Sequence, residues 1–154
     1  MATSSNPRNR WLIAAGLGSA LVALLHAVII FVGAPAYRYF GAGDLAPRAE
    51  QGSYMPALIT GFLVLIFAVW ALYAFSGAGL GPRLPLLRLG LGAIATIYTL
   101  RGLMLLPELY ALASGKLEVP RMAVFSAVSL FIGLCYVAGF LRAFRRSPAP
   151  GLAG

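Results

Sequence analysis

Four residues of chemically active type sit inside, or at the edge of, long apolar runs: His26, Tyr98, Arg101 and Glu108. The last three fall within "IYTLRGLMLLPELY", residues 97–110, spaced three and seven apart. On a helix that spacing places them on one face. An arginine at the centre of a membrane span costs roughly 2.5–3.5 kcal/mol, so an embedded ionisable group marks a site by default. A guanidinium there can hold an anionic headgroup or a carboxylate. His26 can give or take a hydrogen bond and make binding sensitive to pH. General acid–base work would fall to His26 or Glu108. The plainer reading keeps all four structural. Arg101 snorkels to headgroups or pairs with Glu108, and His26 is hydrogen-bonded to a serine or a carbonyl.

The elements that must position these residues are legible from composition. Hydrophobic residues make up 60% of the 154, and charged residues only 10%. A soluble domain has roughly 25% charged residues. Four runs are long enough to cross a hydrocarbon core of roughly 30 Å as helices. They cover about 11–32, 55–75, 84–106 and 120–140. Four strands cannot close a barrel, so the spans are helical. The expected architecture is an all-α membrane protein, with four transmembrane helices in an antiparallel bundle occupying residues 11–146. Residues 1–10 read as a cytoplasmic tail, and residues 147–154, rich in Pro and Gly, as a disordered one. "GAPAYRYFGAGD", "SGAGLGPRLP" and "SGKLEVPR" break the runs. Pro107 should kink or end the third helix. The first run is longer than the 7–15 residues of a signal-peptide core, so cleavage is not expected.

Arginine placement sets orientation. Arg8, Arg10, Arg83, Arg88, Arg142, Arg145 and Arg146 lie on one side with no acid. Asp44, Glu50, Glu108 and Glu118 lie on the other, with Arg38, Arg48, Lys116 and Arg121. Both termini are therefore expected in the cytoplasm. Trp11 fits an interfacial anchor at the inner surface. Tyr37, Tyr39, Tyr54 and Tyr110 fit the outer belt. By helical rise, Arg101 lies roughly 25 Å above Leu84 and His26 roughly 22 Å above Trp11, a similar depth in the outer half. "GLGSALVALLHA" from Gly16 and "GLGAIATIYTLR" from Gly90 suggest a parallel two-helix repeat. Small residues beside His26 (Gly16, Ser19, Ala20, Ala23, Ala27) and the stripe Ser126, Ser129, Gly133, Tyr136 favour close helix contact. Turned inward, they would bring His26, Tyr98, Arg101 and Ser126 around one outward cavity, covered by the first loop.

Several functions can be set aside. The formal charge of +8 carries no basic stripe interleaved with aromatics, so nucleic acid is not an expected partner. One histidine excludes an HExxH zinc site and confines a bis-His haem to a dimer. No P-loop, GxSxG or paired catalytic carboxylate occurs. No cofactor or metal is expected, and the single Cys135 is a packing residue. In size and four-run layout the chain is similar to small multidrug-resistance transporters, but 11–32 contains no acid where they carry a glutamate. "PRAEQGSYMP", residues 47–56, resembles the Arg- and Glu-containing loop of four-helix glutathione-transferase-like membrane enzymes, without its Asn or downstream Glu. DoxX-like proteins are similar in size and layout alone.

The expectation is a bacterial inner-membrane protein, non-enzymatic, that binds a lipid-like or anionic amphipathic ligand or a partner helix. The candidate site is an outer-leaflet polar cavity of His26, Tyr98, Arg101 and Glu108. A small transporter or transporter subunit is the alternative, and a membrane enzyme acting on a lipophilic substrate the second. The small-residue faces also permit a homo-oligomer or a partner membrane protein.

Overall fold

The computed structural model describes residues 8–116 and 120–144, which form helices and turns with no strand among them. The expected disordered tail at 147–154 and Glu118 lie outside the described residues. Four helical stretches are long and apolar enough to cross a membrane: Arg10–Val32, Met55–Gly77, Leu87–Ala113 and Arg121–Phe144. No more than 33% of any of them is buried within the chain. Phe31 is 89% exposed, Leu58 68% and Leu21 66%. Apolar surface on that scale is stable against lipid and costly against water. The protein is a small polytopic membrane protein of all-α class.

The chain divides into two compact units. One, Gly16–Leu72, holds most of helix α1 (Arg10–Val32) and of α4 (Met55–Gly77). The segment joining them was expected to be an irregular loop. It is instead helical: α2 (Ala34–Tyr39), a 3-10 turn (Gly43–Leu45) and α3 (Ala46–Glu50). Pro35 and Pro47 do not break these helices, because each sits in a first turn where no intrahelical N–H bond is lost. Gly33, at φ +74°, turns the chain out of α1. Ile29, Ala34, Ala36, Tyr37 and Ala46 bury one another beneath this cap. Tyr37 is thus not a belt residue as expected. It is 3% exposed, and its hydroxyl shares a 3.2 Å hydrogen bond with Thr60. An exposed Arg38–Glu50 ion pair ties α2 to α3.

The other unit holds the start of α1, the end of α4, and α5 (Leu87–Leu103), α6 (Leu105–Ala113) and α7 (Arg121–Phe144). The third run is not one helix to Leu106. It breaks at Met104, three residues ahead of Pro107. The cause is still the proline: it has no N–H for the Leu103 carbonyl, and its ring crowds that oxygen. The chain recovers at Glu108, whose N–H reaches the Met104 carbonyl at 3.2 Å.

Helices α5 and α7 run antiparallel in close register. Gly102 faces Leu130, Gly133 faces Thr99, Gly92 faces Phe140, and Arg88 lies over the Phe144 ring. Two glycines make this approach possible. A Cβ on Gly102 would collide with the Leu130 Cα, and one on Gly133 would fall 2.8 Å from the Thr99 nitrogen. Without an apolar driving force in lipid, such backbone proximity is what holds membrane helices together.

Candidate functional site

The α5–α7 seam carries the polar groups. Tyr98 and Arg101 share one face of α5, as their spacing of three requires. Opposite them on α7 stand Ser126 and Tyr136, both fully buried. The Tyr98 and Tyr136 rings stack with centroids 5.7 Å apart and planes 16° from parallel. Such a pair contributes about 0.5–1.5 kcal/mol beyond its burial. One turn further along α5, the Arg101 Nη1 donates to the Ser126 Oγ at 2.6 Å. The rest of the Arg101 side chain is exposed. A guanidinium offers five donors, so one bond to serine leaves most of them directed outward. Thr99 is also on this seam, with a buried hydroxyl that has no hydrogen-bond partner.

Glu108 does not pair with Arg101. The structure holds no ion pair between them, and the side-chain bond Arg101 makes is to Ser126. The helix break at Met104 separates the two, so the spacing of seven no longer counts turns of one continuous helix. Glu108 stands in the first turn of α6, where the helix dipole favours a carboxylate. Its Oε2 is buried without a hydrogen bond.

His26 belongs to the Gly16–Leu72 unit. Its Nδ1 lies 2.8 Å from the Val22 carbonyl. A carbonyl only accepts, so Nδ1 is the donor in this contact. The ring packs on Phe67 with centroids 5.0 Å apart. The structure therefore brings Tyr98 and Arg101 together with Ser126 and Tyr136, places Glu108 past the helix break, and seats His26 among its own helix backbone and Phe67.

Two polar residues were missed by sequence reasoning. Asn9, assigned to the front tail, is 7% exposed and donates from Nδ2 to the Gly139 carbonyl at 2.8 Å. It directly precedes α1, and its Oδ1 faces the Leu12 N–H at 3.5 Å. Asparagine immediately before an apolar helical run is a cap signal that could have found it. Ser76, assigned to a breaker segment, donates to the Pro82 carbonyl at 2.7 Å and accepts from the Leu84 N–H at 3.1 Å. No sequence signal marks that clamp. Among the described residues no cluster of three His, Cys, Asp or Glu is placed to hold a metal.

Comparison with known proteins adds no relative. No family model matches the chain, and neither do curated proteins or solved structures.

Proposed function

We propose that this protein binds an anionic amphiphile at the α5–α7 seam, with Arg101 as the headgroup contact. The observation that supports the reading is the state of Arg101. It is exposed within an apolar span, lacks a carboxylate partner, and is aimed by a short bond to a buried serine. An arginine that only snorkels needs no such fixing partner. Fixing one donor reduces the ordering cost when a carboxylate or phosphate takes the others. Glu108 is assigned a supporting role as a polar rim of the seam.

The protein acts in this reading as a binding component of a bacterial inner membrane, with both termini cytoplasmic and no catalytic step of its own. The arginine asymmetry supports that orientation. Native mass measurement of the protein released in gentle detergent tests it. The wild type should carry a small-molecule adduct that Arg101→Leu lacks. Equal masses of adduct on both would return Arg101 to a structural role.

A further inference from the structure

A second basic cluster lies at the opposite end of α5 and is not part of the site above. Arg101 and Leu87 are separated by roughly 21 Å of helix. At the Leu87 end, within the α5–α7 unit, is a cavity of about 640 Å³. Its walls come from the segment ahead of α1, the end of α4 with its following turn, the start of α5 and the end of α7. Arg8, Arg83 and Arg142 line it, one from each of three segments distant in sequence. Among the described residues lining it none is acidic. In the sequence the four acids, Asp44, Glu50, Glu108 and Glu118, all fall outside the segments that form these walls. Three arginines thus line one cavity with no counter-charge among its described lining residues, an arrangement that repels itself until an anion arrives.

The cavity is also built. Asn9, on its wall, is buried and tied to the Gly139 carbonyl, which pins the segment carrying Arg8 to α7. Ser76 clamps both Pro82 and Leu84, which fixes the turn carrying Arg83. Phe144, beside Arg142 on α7, is covered on its face by Arg88 at 5.7 Å. Leu84, Leu87 and Phe144 complete the lining with apolar surface. The volume lies within the roughly 300–1,000 Å³ of small-molecule sites. All four long spans have an end here, which sets the cavity at the membrane–water boundary. Positive-inside bias alone asks for arginines on this side of the membrane, and not for three of them in one hydrogen-bonded cavity.

We infer that this cavity is a binding site for a phosphate ester, held by Arg8, Arg83 and Arg142. The phosphate can belong to a phospholipid headgroup, whose chains would follow Leu87 and Phe144 into the bilayer, or to a free phosphate compound. Basic pockets between helix ends are established receptors for anionic headgroups.

The test uses the full chain, delipidated in detergent, with two probes. Phosphatidylglycerol in mixed micelles with phosphatidylcholine is followed by native mass spectrometry. Inorganic phosphate is titrated against the melting temperature at constant ionic strength. Wild type should retain phosphatidylglycerol over phosphatidylcholine, or melt higher in phosphate than in chloride. The first result assigns the site to headgroups and the second to free phosphate. Arg83→Gln with Arg142→Gln should weaken the effect about 25-fold, and Arg8→Gln alone about five-fold. All three side chains are exposed, so the helices keep their packing, which circular dichroism checks. Arg48→Gln, in the α2–α3 cap, should change nothing. The inference is overturned if neither probe responds to the paired substitution, or if Arg48→Gln weakens binding as much.

Discussion

Arg101 and Ser126 form one device, and the consequence is measurable. Replacing Ser126 with Ala removes the acceptor of a charged donor, a loss of about 1 kcal/mol once exposure of the guanidinium is allowed for. Thermal unfolding in detergent should register it. The loss should not add to that of Arg101→Leu, because both substitutions delete the same bond. Full additivity would show that the two side chains do not act together. Much of this pair was legible beforehand. The spacing of Tyr98 and Arg101 fixes a shared face, and the stripe Ser126, Ser129, Gly133, Tyr136 points to a complementary one, although Ser129 bonds its own helix at the Phe125 carbonyl. The place of Glu108 was not legible. Its position depends on where the chain breaks, and the break answers to the carbonyl four residues behind Pro107 rather than to the proline's own position.

Between elements, the α5–α7 contact rests on missing side chains. Gly102→Val should destabilise by about 1–3 kcal/mol, because the atom it meets is backbone and cannot move aside. Gly92 is the internal control. A Cβ there meets only the Phe140 ring, at 3.7 Å. Gly92→Ala should be neutral, or gain up to about 1 kcal/mol from helix propensity. If the two substitutions cost the same, the close approach at Gly102 is not what holds the pair. The α1–α4 connection shows the reverse lesson. Its prolines and glycines suggested a loop, yet the prolines occupy helix starts, where their restricted φ is an advantage. Breaker residues mark boundaries well and say little about what lies between them.

At the scale of the whole molecule, four spans follow from apolar run length alone. Single-residue detail within the runs does not, since nearly every position is hydrophobic and no polar face reports direction. The arginine asymmetry predicts an orientation, which labelling tests. With Gly81→Cys and Gly43→Cys, a membrane-impermeant maleimide added to intact cells should label the second and spare the first. Cys135 is 2% exposed and should contribute little background. Labelling of Gly81→Cys from outside would invert the assignment, and would place the Arg8, Arg83 and Arg142 cavity in the outer leaflet.

The hydrogen bond from Asn9 to Gly139 spans 130 residues of sequence. Synthesis runs at roughly 5–20 residues per second. Asn9 therefore waits on the order of ten seconds for its partner to be made. Throughout that interval α1 has to be held by something other than this clasp, and the cavity beside it is unfinished. A fault in α7 would be felt at the beginning of α1.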